Sequence, residues 1–145
     1  MPDANRYLRR FGLAVLCSIS IVHTGHAEEH DAYRRVLEAL KAGQDVTAVT
    51  DFNRCAIAEG GNSGPSILGG FHIAAFLVPG GQYIAFSNVH ETLSPQARPT
   101  TEYLRYKVTP DGNALVTMDV MVGGAEHVRT ETYECKLGDG LSFAW

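Results

Sequence analysis

The chain has few cysteines, no long hydrophobic run and no excess of basic residues. Its 145 residues include three cysteines, and none forms a CxxC pair, which excludes the usual thiol redox and zinc motifs. The longest apolar run spans about a dozen residues, whereas a membrane-spanning helix needs roughly 20. The formal net charge of −4 argues against nucleic acid as a partner.

No complete catalytic or metal-binding motif is present after residue 27. A Gly-x-Ser-x-Gly elbow is absent, and no two histidines there have the HxH or HxxxH spacing of metal ligands. His90-Glu91 begins like a zinc-protease pattern, but Ser94 occupies the position of its second histidine. The glycine-rich stretch 60–70 lacks the lysine and the following helix of a phosphate-binding loop. We therefore predict no catalytic residue, no metal site and no cofactor.

The first 27 residues have the three parts of a secretory signal. In order, these are a basic segment, an apolar segment and small residues at the −3 and −1 positions: Arg6, Arg9 and Arg10, then Phe11–Val22, then Gly25 and Ala27. We expect cleavage after residue 27, export to the periplasm or the exterior, and no stable membrane anchor in the mature chain. The alternative is an uncleaved N-terminal anchor.

Residues 28–145 form one domain of about 118 residues, long enough to bury its own core. Of the 12 Lys and Arg and 16 Asp and Glu in the chain, three Arg and one Asp lie in residues 1–27. The mature domain is therefore more acidic than the whole chain. This sign of charge again argues against nucleic acid and does not identify a partner.

Two cysteines remain once the signal is removed. Cys17 lies inside the apolar segment and leaves with it, whereas Cys55 and Cys135 enter an oxidising compartment. In a small exported domain such a pair forms a disulfide. Closing a loop of about eighty residues contributes roughly 4 kcal/mol in the loop-entropy treatment. Two unpaired buried thiols are the alternative.

Residues 28–42 are predicted to form a helix. Tyr33, Val36, Leu37 and Leu40 recur at the i, i+3, i+4, i+7 spacing of one apolar stripe. Acidic residues occupy the first turn and a lysine the last, as the helix dipole favours. Gly43 supplies the left-handed stop.

After Gly43 the hydrophobic pattern changes to that of strands joined by turns. Strands are predicted at 46–52, 71–78, 83–89, 102–108, 114–122 and 128–137, with a short terminal one at 143–145. Residues 56–68 and 91–100 are predicted loops. Pro79-Gly80-Gly81 and Pro110-Asp111-Gly112 are predicted turns, the first with a positive φ at Gly80. Alternation within 102–108 separates Tyr103, Arg105 and Lys107 from Leu104, Tyr106 and Val108.

No helical crossover is visible, so tight turns make neighbouring strands antiparallel and exclude a doubly wound sheet. The predicted fold class is α+β, mainly β, with an N-terminal helix packed on a curved antiparallel meander or partial barrel of six to seven strands. A Cys55–Cys135 bridge ties the first strand region to the last long strand. A rolled sheet brings those regions together more readily than a flat one.

Several short patterns, taken in order, resemble the bacterial VirK protein family. They are Asp51-Phe52 before Cys55, Gly69-Gly70, Tyr83–Ser87 followed by His90, Tyr103–Tyr106 with Pro110–Gly112, and Tyr133-Glu134-Cys135. With the leading signal, the resemblance covers almost the whole chain and makes 28–145 a single VirK-like domain. The family is associated with virulence loci of plant-interacting proteobacteria and has no assigned catalytic mechanism. The resemblance therefore implies an exported accessory or virulence-associated protein and supplies no catalytic residue.

Five polar residues lie at predicted strand ends or in otherwise apolar runs: Asp51, Ser87, Asn88, His90 and Arg105. If a partial barrel brings them to one open end, they line a pocket for an unknown protein or small-molecule ligand. Otherwise Asp51 caps a turn and Arg105 pairs with a surface carboxylate. Four aromatic residues either pack in the core or line a binding face: Tyr83, Phe86, Tyr103 and Tyr106.

The leading hypothesis is a non-enzymatic exported protein that acts by binding. The alternative is a small periplasmic hydrolase or ligand-binding enzyme that uses His90 with Asp51 or Ser87. That alternative requires these side chains to lie within hydrogen-bonding distance of one another. A third hypothesis, an inhibitor or assembly subunit, predicts an exposed apolar patch or an unpaired edge strand.

Overall fold

The computed structural model describes residues 25–94, 96–123 and 127–145. The predicted signal, residues 1–27, falls almost wholly outside the described residues and stays a prediction. The described part contains one α-helix, α1, two short 3₁₀ turns at residues 52–54 and 79–81, and nine strands. Their bounds are α1 Gly25–Lys41, β1 Thr47–Asp51, β2 Ala56–Ile57, β3 Leu68–His72, β4 Phe76–Leu77, β5 Ile84–Leu93, β6 Pro99–Val108, β7 Asn113–Val122, β8 His127–Leu137 and β9 Gly140–Ala144.

The structure confirms the predicted apolar stripe of helix α1 and the predicted glycine that ends the helix. Tyr33, Val36 and Leu40 are buried in the same core as the sheet, and Leu37 packs at its margin. Gly43 has φ 70°, and the backbone N–H groups of residues 43 and 44 return to carbonyls of the last turn. The helix begins at Gly25, three residues before the predicted start of the mature domain.

The sheet confirms the predicted fold class but has more strands than the six to seven expected. The predicted strand 71–78 is interrupted, because its first residues continue β3 and Phe76–Leu77 form the separate strand β4. The predicted loop 56–68 contributes β2 and the first residue of β3. The predicted loop 91–100 is shorter than expected, since β5 runs to Leu93 and β6 starts at Pro99.

Eight strands follow the order β3-β1-β9-β8-β7-β6-β5-β4, and β2 pairs with β8 beside this path. Neighbours are antiparallel except for a two-residue parallel contact between β8 and β9. Only residues 73–75 separate β3 from β4, although these strands lie at opposite ends of the order. Four Cα steps reach at most about 14 Å, so the sheet must curl until its ends approach each other. We call this curled sheet the half-barrel.

The helix lies at one end of the half-barrel, beside the turn from β6 to β7. Gly112 in that turn has φ 80°, and a Cβ placed on it would lie 2.8 Å from the Glu29 Cβ. The Leu137 N–H donates to the Gly112 carbonyl oxygen at 2.9 Å, so the end of β8 meets the same turn. We call this the closed end and the opposite end the mouth.

The predicted disulfide is present, with 4.5 Å between the Cα atoms of Cys55 and Cys135. The pairing of two strands next to the cysteines, rather than closure of the whole rolled sheet, brings the cysteines together. Cys55 directly precedes β2, and Ala56 in β2 is the cross-strand partner of Glu134 in β8. This pairing places the two cysteines side by side. The bridge therefore anchors the glycine-rich segment 56–68 to the sheet.

Candidate binding site at the mouth of the half-barrel

The strand registers arrange the concave face of the half-barrel in rows. Cross-strand partners on β5, β6 and β7 point to the same face, so each set of three forms one row. From the closed end to the mouth the rows are Ile84–Val108–Ala114, Phe86–Tyr106–Val116, Asn88–Leu104–Met118, His90–Glu102–Val120 and Thr92–Thr100–Val122.

The rows near the closed end are filled by aromatic and aliphatic side chains. Phe86 and Tyr106 are buried and stack with 4.8 Å between ring centroids. Phe71 from β3 and Phe143 from β9 contact this pair from the other side of the half-barrel. The Thr50 and Tyr106 hydroxyls share a buried hydrogen bond of 3.0 Å. This half of the concave face therefore leaves little space for a ligand.

The rows near the mouth border a cavity of about 690 Å³. Its walls are mainly apolar and include Phe52, Leu104, Met118, Val120 and Val122. Polar side chains at its rim include His90, Glu102 and Arg129. A concave apolar site with a few polar groups, of a few hundred Å³, is the usual form of a small-molecule or peptide site.

The polar groups at the rim are joined in two pairs. His90 Nδ1 lies 3.2 Å from Glu102 Oε2. Arg129 Nη1 lies 3.2 Å from Glu131 Oε1, and the Tyr133 hydroxyl donates a hydrogen bond to Glu131 Oε2. Burial, together with this hydrogen bond to a carboxylate, raises the pKa of Tyr133 well above its usual range. Tyr133 therefore stays a neutral donor that holds Glu131 in place.

The structure does not bring the five predicted binding residues to one place: it divides four of them into two pairs on opposite faces of the sheet and leaves Asp51 apart. Asn88 and His90 both occupy concave-face rows towards the mouth. Ser87 and Arg105 are cross-strand partners on the convex face, because residues of odd number in β5 and β6 point outward. Arg105 Nη2 donates to Asp119 Oδ2 at 2.6 Å. Asp51 accepts from the backbone N–H of Asn53 at 3.2 Å.

This arrangement does not bring together the residue combinations that the hydrolase hypothesis requires. Ser87 and His90 lie on opposite faces of β5, and the His90 ring meets Glu102 instead. Asp51 caps the short 3₁₀ turn at residues 52–54 through Asn53. Within the described residues, no hydrogen bond joins His90 to Ser87 or Asp51.

The residues that sequence reasoning missed are Glu102, Arg129 and Glu131. The sequence signal that could have found them was the alternation of inward-facing and outward-facing residues along a strand. Glu102 has the same parity as the buried Tyr106 and Val108, and Arg129 and Glu131 share the parity of Tyr133 and Cys135. Charged residues that share the parity of core residues therefore indicated that the concave face carries charged side chains at one end.

The four aromatic residues divide between packing and exposure. Phe86 and Tyr106 form the stacked core pair described above. Tyr83 lies beneath the Lys107 ammonium, 4.6 Å from the ring centroid, and Tyr103 is exposed. The four aromatic residues therefore do not form a common binding face. Among the described side chains, which exclude that of His127, no group of three His, Cys, Asp or Glu is arranged to hold a metal ion.

The fold and the cavity define an α+β protein in which a helix closes one end of a half-barrel and the other end is open. Residues 29–126 match the protein family described as VirK protein. The chain belongs to the VirK family.

Relatives and a solved structure agree with this assignment. An uncharacterised protein of Sinorhizobium fredii is 34% identical over 107 residues, which cover 72% of this chain and 74% of the relative. An uncharacterised protein of Rhizobium radiobacter is 30% identical over 108 residues, with the same coverage. The crystal structure of a VirK family protein from Legionella pneumophila superposes with a TM-score of 0.67 at 24% identity, covering 79% of this chain and 96% of that one. This last likeness shows the fold alone.

The described part of the chain has no helix long and apolar enough to cross a membrane.

Proposed function

We propose that this protein is an exported binding protein whose ligand or partner occupies the mouth cavity. The observation that carries the proposal is the cavity of about 690 Å³, with apolar walls and paired polar groups at its rim. Burying apolar ligand surface there drives binding, at roughly 25 cal/mol per Å² removed from water. The rim pairs His90–Glu102 and Arg129–Glu131 orient what enters.

The proposed activity is binding rather than catalysis. A general base needs a nucleophile or a water held within hydrogen-bonding distance, and a nucleophile needs a neighbouring base. The His90 ring instead pairs with Glu102, and Ser87 lies across the sheet on the convex face. Paired rim groups of this kind serve recognition because their positions are already held before the ligand arrives.

Export and an accessory or virulence-associated role complete the proposal. The Cys55–Cys135 disulfide is typical of a protein that works in an oxidising compartment. The predicted signal over residues 1–27 provides the route. The VirK family resemblance supports the virulence-associated context, and the relatives named above are themselves uncharacterised.

The cavity can be tested with anilinonaphthalene sulfonate, an anionic aromatic dye whose fluorescence rises when its rings enter an apolar site. We expect saturable binding to the native protein. Leu104→Trp and Val122→Trp fill the cavity and should each weaken dye binding at least tenfold. Leu115→Trp is the matched control, since Leu115 is an exposed residue of β7 on the convex face. Circular dichroism reports whether each variant keeps the native fold.

Two outcomes would contradict the proposal. One is the absence of saturable binding to the native protein. The other is equal binding to native protein and to correctly folded variants with tryptophan at residues 104 and 122. Either result would mean that the mouth cavity is not a binding site.

A further inference from the structure

The two ends of the curled sheet do not meet along their whole length. β4 pairs with β5 only at Ala85 and Phe86, whereas β5 continues for seven more residues, 87–93. These seven residues have β6 on one side and, among the described residues, no strand on the other. We call the gap between residues 87–93 and β3 the seam. Residues 73–75, which join β3 to β4, bound it at the end nearer the closed end.

The hydrogen-bond pattern shows which backbone groups of β5 face the seam. The Ser94 N–H donates to the Arg98 carbonyl oxygen at 2.9 Å, which makes these residues a hydrogen-bonded pair of the β5–β6 hairpin. Bonded pairs alternate along an antiparallel ladder, so residues of even number in β5 bond to β6. The backbone groups of residues 87, 89, 91 and 93 therefore point away from β6 into the seam. Among the described residues no backbone group pairs with them.

The same reasoning applies to β3 on the other side. Phe52 N donates to Ile67 O at 3.0 Å and Ile73 N donates to Val46 O at 2.9 Å. Odd-numbered residues of β3 thus bond to β1, and the backbone groups of Leu68, Gly70 and His72 face outward. Both sides of the seam carry unpaired strand edges.

Exposed apolar side chains are concentrated beside these edges. In the described residues eight large hydrophobic side chains are exposed, and four of them flank the seam: Ile67, Leu68, Val89 and Leu93. Leu68 is 72% exposed and Leu93 62%. Natural edge strands are commonly protected by lysine, proline or a bulge. Residues 87–93 contain neither residue, and their pairing with β6 has no register shift.

We propose that the seam binds an extended peptide segment of a partner protein, which adds as a strand to the edge formed by residues 87–93 of β5. Alternate side chains of that segment enter the mouth cavity, which Leu68, His90 and Leu93 border from the two sides of the seam. The proposal rests on the binding function above and names the class of partner.

The unpaired backbone groups decide between kinds of occupant. An added strand pairs its own N–H and C=O groups with the edge and gains specificity from every second side chain. A small apolar molecule would fill the cavity but leave the edge unpaired. The added strand also lies in line with β4, which already pairs with β5 at the adjoining residues. The partner segment is therefore expected to be extended and apolar at alternate positions.

The probe for this proposal is a library of displayed nine-residue peptides selected on the immobilised protein. We expect enriched sequences with apolar residues at positions i, i+2 and i+4. In a synthetic peptide of such a sequence, N-methylation of one alternate set of backbone amides should weaken binding at least tenfold. N-methylation of the other set, whose amides face away from β5, should change binding less than threefold.

The matched protein variants are Glu91→Pro and Glu91→Ala. Proline removes an N–H that faces the seam and leaves the β5–β6 ladder intact, so peptide affinity should fall at least tenfold. Alanine removes only the side chain and should keep affinity within threefold. Val89→Pro repeats the test at a second seam-facing N–H. Unfolding midpoints verify that the proline variants remain folded.

Several results would overturn strand addition. They are a library without alternating apolar binders, equal binding by the proline and alanine variants, or a dimer that Glu91→Pro dissociates, which would assign the edge to a second copy of the chain. If dye binding still depends on residue 104 while Glu91→Pro has no effect on peptides, the cavity function stands and strand addition is wrong. If neither substitution matters, both proposals are wrong.

Discussion

Thr50 on β1 and Tyr106 on β6 are joined by a buried hydrogen bond across the interior of the half-barrel, with 3.0 Å between their hydroxyl oxygens. Three strands, β9, β8 and β7, separate β1 from β6 in the sheet order. No backbone ladder links these two strands, so the hydroxyl pair supplies a direct tie across the concave face. Such a contact stabilises the curled shape rather than any single strand pair.

Removing either hydroxyl should therefore destabilise the fold. Tyr106→Phe or Thr50→Val leaves one buried hydroxyl without its partner, and each should lower the free energy of unfolding by about 1–3 kcal/mol. The double variant should lose less than the sum of the single losses, because neither group is then left unpaired. Urea denaturation of all four proteins measures this coupling. Tyr103→Phe, at an exposed tyrosine, is the control, and strictly additive losses would show that the two hydroxyls do not interact.

The disulfide should contribute a large share of the stability. A Cys55→Ala, Cys135→Ala variant is expected to lose roughly 2–4 kcal/mol, because the bridge restricts a long loop in the unfolded chain. Thermal unfolding under oxidising conditions measures the loss. Reduced wild-type protein should unfold like the variant. Two titratable thiols in the native protein, or an unchanged transition, would contradict the bridge.

Gly64 should not tolerate a side chain. A Cβ at this residue would lie 2.3 Å from the Phe52 carbonyl oxygen and 3.2 Å from the Tyr133 ring. Since the Gly64 N–H also donates to the Cys55 carbonyl oxygen, the segment has little freedom to move aside. Gly64→Ala should cost about 1–3 kcal/mol, as overpacking does. Gly69→Ala is the control: nothing lies within 4 Å of that Cβ, and its effect should stay within about 0.5 kcal/mol. Equal denaturation midpoints for the two variants would refute the close contact.

Stability should fall in alkaline solution. Burial raises the pKa of Tyr133 and of Tyr106 above the usual value, whereas an unfolded tyrosine ionises near pH 10. A raised folded-state pKa contributes stability that is complete below about pH 10 and is lost as the pH rises through the folded-state pKa. Urea midpoints measured between pH 9 and pH 11.5 should therefore decrease. Tyr133→Phe should make this decrease shallower, and an unchanged pH profile in the variant would count against the effect.

The predicted signal can be tested apart from the domain. Residues 1–27 fused to an alkaline phosphatase without its own signal should give activity, because that enzyme needs an oxidising compartment. Leu16→Arg interrupts the apolar segment and should abolish the activity. Mass spectrometry of the exported full chain should find Glu28 at its N-terminus. Retention of the full-length chain in the membrane would instead favour the uncleaved anchor.

Local patterns in the sequence were sufficient for much of the fold. The stripe Tyr33, Val36, Leu40 buries one face of a helix wherever that helix packs, and Gly43 ends it. The alternation in 102–108 is confirmed, with Tyr106 and Val108 buried and Arg105 exposed. These predictions succeed because they depend on periodicities of three to four and of two residues, which the backbone geometry imposes.

The short strands and the binding site were harder to predict. β2 and β4 have two residues each, and their existence depends on the strands they pair with rather than on their own sequence. Ala56 pairs with Glu134, 78 positions along the chain, and Phe76 pairs with Phe86 across a sharp turn. Asp51 and Arg105 looked like site residues because they are polar within apolar runs. Their partners, Asn53 and Asp119, became visible only in the folded chain.

The sequence by itself determined the helix, the long strands and their faces, the pairing of the two cysteines and the family, because each of these follows from local period, composition or motif. The sequence also indicated a curved sheet, but the tertiary structure alone decided how far it curls, and it alone decided the cavity and the seam. Residues 73–75 force the sheet ends together, and the length difference between β4 and β5 leaves an edge unpaired. Both are relations between distant strands, and no local pattern encodes the register that produces them.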